Sequence, residues 1–356
     1  MRIIQFIDSL DAGGAERMVV NISNVLVEEG HKVLLVVSRK NGILIEQVAP
    51  NVNVEVLNKK SFWDLHTFWK ILKIVFHFRP DVIHSHSSSI YWSVLIKILL
   101  NFKFKLIYHE HNGNRSSISM LKNLPLVFSS ILFNSVIVVN ENLYQWSRCN
   151  LIVKKDKIYF INNFPLLKKI SKISSKKITI LSLANLRPVK DQFNLIKALS
   201  ILVYEYGFKN VELILAGKAY NDLFQHNLKA EILNLNIANY VTIYGQVNKI
   251  EEMLGRSDIG VLSSVYEGLP VSLLEYGLGG LPVVVTDVGQ CSEVIGNGKY
   301  GIVVPPKNPQ LLAQAISRLI LNLDASKELG LQFKKHVINE YGPKKFLRSY
   351  HEIIFN

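Results

Sequence analysis

The chain has 356 residues, of which 49% are hydrophobic and 19% are charged, and its formal net charge is +13 at pH 7. This composition excludes an intrinsically disordered protein, and the length is sufficient for two domains. The two cysteines, Cys149 and Cys291, lie far apart in the sequence and form no CxxC or metal-ligand spacing. We therefore expect a protein of a reducing cytoplasm rather than a disulfide-stabilised secreted one.

The apolar runs are too short for a membrane span. Asp8 interrupts the first run too early for a signal peptide. The most apolar stretch, residues 124–139, falls short of the roughly 20 residues that a spanning helix needs. We expect it to form a buried helix followed by a strand.

The positive charge is concentrated in the first half of the chain. Residues 1–170 hold 21 Lys and Arg against 12 Asp and Glu, a net of +9, and the rest holds 20 against 16, a net of +4. Residues 59–73 and 97–105 combine lysines with aromatic side chains, which indicates a surface lying on an anionic membrane. The alternative is that Phe62, Trp63, Phe68 and Trp69 belong partly to the core. No motif for nucleic-acid binding accompanies the charge.

Short apolar runs alternate with amphipathic segments in the N-terminal half, which is typical of βαβ units and a parallel sheet. The predicted helices are 15–30, which ends at Gly30, and 64–79, which ends before Pro80. The predicted strands are 2–8, 31–38, 52–57, 81–86, 105–111 and 135–140.

The alternation restarts after a Lys- and Ser-rich stretch, which predicts a first domain of residues 1–164, a linker at 165–177 and a second domain of 178–340. An amphipathic helix at 341–356 is expected to pack back on the first domain. The fold class is α/β, with two Rossmann-like, doubly wound domains facing a central cleft where ligands bind. The predicted elements of the second domain are a helix at 191–207 and strands at 178–184, 211–217, 240–245, 259–264, 282–287 and 301–305.

The sharpest motif is SSVYEGLPVSLLE at residues 263–275, where Glu267 and Glu275 are eight positions apart. A strand is expected to end near Ser264 and a helix to begin near Pro270, a common residue in the first helical turn. The free N–H groups of that turn attract an anion. One ligand could therefore contact both carboxylates, although a capping glutamate and a solvent-facing one would give the same pattern.

Residues 267–275 resemble the E-x7-E motif of the retaining glycosyltransferases of family 4, which have the GT-B fold. Residues 13–37 and 269–306 are similar to the family's first loop and helix and to the segment around its motif. The resemblance implies transfer of a hexose or N-acetylhexosamine from a nucleotide sugar, expected to carry UDP. The implied acceptor is lipid-linked or an oligosaccharide in capsule, O-antigen or exopolysaccharide synthesis. The implied location is the inner face of the plasma membrane.

By this resemblance, Glu275 binds the ribose hydroxyls of the nucleotide, a task that suits a carboxylate because it accepts two hydrogen bonds. Glu267 is expected to contact the donor sugar near its reacting face. The backbone N–H groups of Gly268 and Leu269 are expected to bind sugar hydroxyls or phosphate, although Gly268 also fits a plain turn.

A second motif, ANLRPVKDQ at 184–192, supplies cations for the departing diphosphate. Lys190 matches the family's lysine, but the family's arginine five positions earlier is replaced by Asn185, which we also assign to donor binding. We expect Arg187 to reach the same phosphates. The chain has no Asp-x-Asp pair, so the transfer is expected to need neither a metal ion nor another cofactor.

The first domain is expected to contribute a glycine loop and histidines. Gly13 and Gly14 follow the first strand, where the backbone must approach a ligand closely. His111 resembles the family's histidine near the donor sugar, and His86 is assigned to the acceptor side, although a structural role remains open for both. Two neighbouring histidines, His84 and His109, are expected to face the opposite side of their strands. Their spacing does not match a zinc motif.

Smaller contacts are expected at turn residues, for which ordinary turns or packing remain the alternative. Asn162 and Asn163 resemble an interdomain turn of the family, and Asn163 is assigned to the acceptor side. The others are assigned to the donor diphosphate or base: Gly217, Lys218, Gly245 and Val247.

Three other functions remain open at this stage. An epimerase acting on a nucleotide sugar or a phosphorylase would use the same architecture, but no lysine signature for pyridoxal phosphate is present. A non-catalytic partner subunit of another transferase is favoured by the missing arginine at position 185.

Overall fold

A computed structural model describes residues 1–11, 13–61, 64–100, 103–112, 115, 118–167, 169–173, 175–247 and 249–355. The chain divides into two compact units. The first comprises Met1–Phe164 together with Pro343–Asn356, and the second comprises Pro165–Gly342.

The first unit is built on a seven-stranded parallel sheet in the order β3-β2-β1-β4-β5-β6-β7. Its strands are β1 Arg2–Ser9, β2 Lys32–Lys40, β3 Asn53–Val56, β4 Val82–His86, β5 Lys105–Glu110, β6 Ser135–Val138 and β7 Ile158–Phe160. Its helices are α1 Gly14–Glu28, α2 Leu65–Phe78, α3 Ile90–Leu99, α4 Met120–Ser129, α5 Glu141–Asn150 and α13 Pro343–Phe355.

The predicted strands of this unit are confirmed within a few residues, because continuous apolar runs are typical of strands buried on both faces. The sequence did not predict β7, whose three residues are too few to show a pattern. The helix at α4 is present, but the expectation that it is buried was wrong. Only Asn123 and Leu126 of this helix are buried, whereas Leu121 and Phe128 are 79% and 66% exposed.

The second unit is built on a six-stranded parallel sheet in the order β10-β9-β8-β11-β12-β13. Its strands are β8 Ile178–Leu183, β9 Val211–Ala216, β10 Val241–Gly245, β11 Ile259–Leu262, β12 Val283–Thr286 and β13 Ile302–Val304. Its helices are α6 Gln192–Tyr204, α7 Asp222–Asn234, α8 Ile250–Arg256, α9 Val271–Gly279, α10 Cys291–Val294, α11 Pro309–Leu321 and α12 Leu323–Tyr341.

The stretch expected to be a linker is attached to the second unit. Leu167 and Ile170 pack against its core, and the Ile173 N–H donates to the carbonyl of Gly255 at 2.9 Å. Scattered apolar residues without periodicity therefore do pack, which composition alone did not show. Residues 168 and 174 lie outside the described part of the chain.

The last helix, α13, belongs to the first unit. Its residues Phe346 and Tyr350 are buried, and Phe346 contacts Phe164 with ring centroids 4.9 Å apart. The Lys105 ammonium donates to the carbonyl of Ile354 at 3.0 Å. Within the described residues, no helix combines the length and the apolar character needed to cross a membrane.

Each sheet reverses its strand order once. Strand β1 lies between β2 and β4 in the first unit, and β8 lies between β9 and β11 in the second. In doubly wound sheets, ligands bind beyond the carboxyl ends of the strands at such a reversal. The loops after β1 and β4, and after β8 and β11, are therefore the positions where each unit is expected to bind a ligand.

Candidate active site

An ion pair joins the two loops at the reversal of the second sheet. The Lys190 ammonium, in the short turn after β8, lies 2.5 Å from Oε1 of Glu267, in the loop after β11. The same oxygen accepts a hydrogen bond from the Ser264 hydroxyl at 2.6 Å. The side chains of Lys190 and Glu267 are largely buried, with 13% and 7% of their surface exposed. Because both contacts use Oε1, and no described residue bonds Oε2, the second oxygen can accept from a ligand hydroxyl.

Hydrogen bonds to backbone carbonyls fix the positions of the two loops. The Ser263 hydroxyl donates to the carbonyls of Lys190 and Asp191 at 2.9 and 3.0 Å. The Val265 N–H donates to the carbonyl of Val189 at 2.9 Å. The Thr286 hydroxyl at the end of β12 donates to the carbonyl of Ser264 at 2.6 Å. The sequence prediction did not identify Ser263 or Thr286; their position at strand ends was the only available signal.

Helix α9 begins just after Pro270, as the motif predicts, and its N-cap residue supplies no side-chain hydrogen bond. Glu275 lies one turn into the helix and is 2% exposed. The fully buried Tyr276 anchors the helix beneath the sheet, because its hydroxyl accepts from the Leu183 N–H at 2.6 Å. The alternative in which Glu275 faces solvent is therefore wrong.

Glycines allow close backbone approaches around the motif. A Cβ at Gly289 would lie 2.1 Å from the carbonyl oxygen of Glu267, and its φ of +53° is in the left-handed region. The Gln290 N–H donates to the carbonyl of Gly268 at 3.1 Å. The segment after β12 therefore supports the loop that carries Glu267. Leu269 packs partly against the core.

The remaining donor-side residues of the second unit form a separate group at the ends of β8, β9 and β10. A Cβ at Gly217 would lie 2.1 Å from the carbonyl oxygen of Ala184, so no residue with a side chain fits at this position. The Gly217 N–H donates to the carbonyl of Gly245 at 2.7 Å. The Asn185 side chain accepts from the Lys218 N–H at 3.2 Å. Asn185 thus fixes a turn instead of supplying the family's positive charge.

Arg187 is exposed and is not brought into contact with Glu267. Its carbonyl accepts from the Lys190 N–H at 2.9 Å, so it forms part of the same turn. Val247 packs against the core of the second unit. The role expected of Arg187 remains a prediction.

Four histidines lie together on one face of the first sheet. The register pairs His86 of β4 with His109 of β5, and successive ring centroids are 4.0 to 5.2 Å apart. The expectation that His84 and His109 face the opposite side was wrong, because residues two apart on a strand share a face. His111 follows β5 and is partly buried, whereas the other three are fully buried.

Hydrogen bonds fix the tautomers of two of these rings. The Gln5 amide oxygen can only accept, so His86 donates to it through Nε2 at 2.8 Å. A neutral His86 then has a lone pair on Nδ1, which accepts from Nε2–H of His111 at 2.9 Å. His111 is left with a lone pair on Nδ1, an atom that is buried and meets no hydrogen-bond donor within the described residues.

Burial keeps the histidine group neutral. Desolvation lowers the pKa of His84, His86 and His109 well below its ordinary value, and the neighbouring rings lower it further. Desolvation also lowers the pKa of His111 to about 3. His84 has one partner, the hydroxyl of Tyr350 at 3.2 Å, and within the described residues both nitrogens of His109 have none.

The same group is the only arrangement in the described residues that brings three possible metal ligands together. One ring nitrogen from each of His84, His86 and His109 lies within 4.8 Å of the others. Cross-strand register produced this cluster, which linear spacing did not predict. Both nitrogens of His86 already take part in hydrogen bonds, so binding a metal would have to break one of them. The expectation of no metal remains a prediction.

A buried ion pair supports the loop that carries His111. The carboxylate of Glu110 accepts from Nε of Arg115 at 2.7 Å, from the Tyr108 hydroxyl at 2.6 Å and from the Asn112 N–H at 2.8 Å. The pair was not predicted from the sequence, although Glu110 directly precedes His111. It holds the chain in place on both sides of His111.

The other predicted residues of the first unit lie in turns. Gly13 precedes α1 in extended conformation and Gly14 begins the helix. The side-chain oxygens of Asn162 and Asn163 are buried and meet no hydrogen-bond donor within the described part of the chain.

Comparisons with known proteins agree with this architecture. Residues 12–164 match the family described as Glycosyltransferase Family 4, and residues 163–336 match Glycosyl transferases group 1. The N-acetyl-alpha-D-glucosaminyl L-malate synthase of Bacillus anthracis is 22% identical, and the alignment covers 97% of this chain and 94% of that protein. An N,N'-diacetylbacillosaminyl-diphospho-undecaprenol alpha-1,3-N-acetylgalactosaminyltransferase of Campylobacter jejuni is 34% identical over 133 residues, 35% of this chain and 34% of that protein.

Among solved structures, the HepE protein of Anabaena in complex with UDP and glucose superposes with a TM-score of 0.80, covering 99% of this chain and 98% of that one at 20% identity. Two parallel-sheet domains with this likeness define a protein of the GT-B class. The two family matches together span nearly the whole chain. The chain therefore belongs to the glycosyltransferases of the family 4 type.

Proposed function

We propose that this glycosyltransferase moves a hexose or N-acetylhexosamine from a UDP-sugar to a lipid-linked or oligosaccharide acceptor, with retention of configuration and without a bound metal ion. The observation that carries the proposal is the Lys190–Glu267 pair at the reversal of the second sheet. The UDP complex of HepE and the lipid diphosphate acceptor in the name of the C. jejuni relative support the donor and acceptor classes.

The chemistry assigns a task to each group of the second unit. The bond between the anomeric carbon and a phosphate oxygen of the donor breaks, and its electron pair stays on that oxygen. The anomeric carbon bonds to the acceptor oxygen, whose proton passes to the leaving phosphate. Lys190 stabilises the charge that develops on the phosphate. Oε2 of Glu267 accepts from a sugar hydroxyl, and Glu275 accepts from the ribose.

The donor class is tested by thermal unfolding of the purified chain with UDP-, GDP- and ADP-sugars. A bound ligand stabilises the folded state, so the UDP-sugar should raise the Tm most. Glu275→Gln should weaken that shift, and Glu251→Gln, on α8, serves as the control. A larger shift with GDP- or ADP-sugars, or an unchanged shift in Glu275→Gln, would reject the assignment.

Product analysis separates the proposal from its alternatives. A transferase forms a glycoside only when an acceptor is present, whereas an epimerase converts the donor without one. A non-catalytic partner subunit would bind the donor and yield neither transfer nor hydrolysis. Polysaccharide synthesis at the cell surface is the context we propose for the reaction.

We also propose that the first unit lies against an anionic membrane surface. Helix α2 presents an outward stripe of Leu65, Trp69 and Phe76, which are 68%, 63% and 50% exposed, with Lys70 and Lys73 beside them. Phe68 packs inward instead, against Trp92 with ring centroids 5.2 Å apart. Phe62 and Trp63 lie outside the described residues.

Helices α3 and α4 also expose apolar side chains. They pack with α2 on one core, and they expose Ile98, Leu99, Leu121 and Phe128. Apolar side chains flanked by lysines insert at the headgroup boundary of an anionic bilayer. A surface of this kind would support an enzyme that acts on a lipid-linked acceptor.

Cosedimentation with phosphatidylglycerol vesicles tests this surface. Trp69→Ser together with Phe76→Ser should reduce the bound fraction, and Leu233→Ser, which removes an equally exposed leucine from α7 of the second unit, should not. Equal binding to phosphatidylcholine vesicles, or equal loss in the control, would contradict the proposal.

A further inference from the structure

A cavity of about 510 Å³ opens in the second unit, next to the turn that carries Lys190. Its wall comes from residues within 188–197, from Val265 after β11 and from residues within 307–309 at the start of α11. Lys190 and Glu267 are not among the described residues that line it, so the cavity is separate from their ion pair. Its volume is that of a small-molecule site.

The charged part of the wall combines one carboxylate with two ammonium groups. Burial raises the pKa of Asp191, whereas a hydrogen bond from the Asn194 N–H and the charges of Lys307 and Lys197 lower it. Among the described residues, neither lysine approaches Asp191 to ion-pair distance, and the Lys197 ammonium lies 4.0 Å from the carboxylate of Glu231 instead. The cavity therefore presents groups of both signs that are near one another without contact.

Two further features of the wall are typical of a ligand site. Asn194 is 5% exposed, and its side-chain Nδ2 has no hydrogen-bond partner in the part of the chain that the structure describes. Buried polar groups without a partner are rare in folded proteins. Asp191 and Lys307 have φ of +46° and +58°, a region uncommon for residues other than glycine, and such backbone conformations concentrate at ligand sites.

The rest of the wall is apolar. It consists of Pro188, Val189, Phe193, Val265 and Pro309. A sugar ring matches this combination, because it presents C–H groups on its faces and hydroxyls at its edge. An anion would be repelled by Asp191 and a cation by the lysines, whereas a hydroxyl donates to a carboxylate and accepts from an ammonium.

We propose that this cavity binds an uncharged saccharide unit, with its hydroxyls on Asp191 and Lys307 and its C–H groups on Val189 and Val265. The inference rests on the proposed transferase function, under which the sugar is a non-reacting unit of the acceptor or of the finished glycan. The Val265 N–H donates to the carbonyl of Val189 at 2.9 Å, and Val189 and Asp191 flank Lys190. An occupied cavity therefore supports the turn that holds this lysine.

Saturation-transfer NMR with maltotriose and with N,N',N''-triacetylchitotriose, at saturating UDP, tests the site. At least one trisaccharide should bind, and Asp191→Asn and Lys307→Asn should each weaken its binding at least about fivefold, because each removes a charge-assisted hydrogen bond. Asparagine still caps a helix and tolerates a positive φ, so both variants should fold. Lys209→Asn, beyond the other end of α6, is the matched control and should leave the affinity unchanged.

Two results would overturn the proposal: no binding of either trisaccharide, or an affinity that is the same in Asp191→Asn and Lys307→Asn as in the unmodified chain. Cooperative unfolding of each variant in urea shows that it has folded. UDP binding separates this inference from the proposed function. If UDP does not bind while a trisaccharide binds and both substitutions weaken it, the donor assignment fails and the cavity assignment stands.

Transfer kinetics identify the source of the saccharide. If the acceptor's own sugars occupy the cavity, the free trisaccharide that binds should raise the KM for the acceptor in the unmodified chain but not in Asp191→Asn. If the finished glycan occupies it, the same trisaccharide should bind without changing that KM. Both outcomes support the cavity, whereas an equal rise of the KM in the unmodified chain and in Asp191→Asn would place the sugar elsewhere and contradict it.

Discussion

Lowering the pH from 7.5 to 5.5 should destabilise the first unit strongly because of its buried histidines. His84, His86 and His109 are fully buried, and desolvation lowers the pKa of each well below its ordinary value. The folded state therefore keeps these rings neutral, whereas the unfolded chain takes up protons below pH about 6.5. Their contribution to stability is present above that pH and is lost as the pH falls.

The size of the loss follows from proton linkage. A histidine that stays neutral when folded costs about 1.4 kcal/mol over this interval, so the three fully buried rings together cost about 4 kcal/mol. His111, whose pKa burial lowers to about 3, adds about 1.4 kcal/mol more. This is a large part of the roughly 5–15 kcal/mol that stabilises a typical domain. Carboxylates contribute little, because their ordinary pKa values lie near 4.

Urea unfolding followed by tryptophan fluorescence measures this loss selectively, since all four tryptophans lie between residues 63 and 146. His109→Leu should reduce the loss by about 1.4 kcal/mol, and the exposed His66→Gln should leave it unchanged. A loss below about 1.5 kcal/mol in the unmodified chain would refute the reasoning, because it would mean that the rings are protonated in the folded state.

Three further predictions follow from the second unit. Glu267→Ala should lower the free energy of unfolding by roughly 3 kcal/mol, because it leaves the buried Lys190 ammonium unpaired. Glu267→Gln should lower the free energy of unfolding by less, and equal losses of the two variants in urea unfolding would contradict this. Gly289→Ala should lower the Tm more than Gly298→Ala, since both have positive φ but only Gly289 meets backbone within 4 Å, and equal shifts would contradict it. Dialysis against EDTA should leave turnover unchanged, because Lys190 carries the charge; a loss restored by a divalent metal would show that a metal takes part.

The sequence predicts the strands and helices well because both sheets are parallel and buried. Apolar runs such as those of β1 and β12 have no solvent-facing residues to break the pattern. Helix α4 is apolar but exposed, and periodicity does not distinguish a core helix from one that presents Leu121 and Phe128 outward.

The site is predictable where chemistry is local and unpredictable where it depends on register. Glu267 and Lys190 were each identified from a motif, but their contact joins positions 77 residues apart. The grouping of His84 with His109 depends on how β4 aligns with β5, which no single segment encodes. The cavity beside Val189 was missed for the same reason, because its wall comes from residues that follow three separate strands.

Single-turnover transfer by Lys190→Met, with a UDP-sugar donor and a lipid-linked acceptor, tests the central claim most directly. The claim is that this ammonium stabilises the departing diphosphate, so the variant should transfer at least about 100-fold more slowly while still binding UDP and unfolding cooperatively. A folded variant that transfers within about threefold of the unmodified rate would contradict the account.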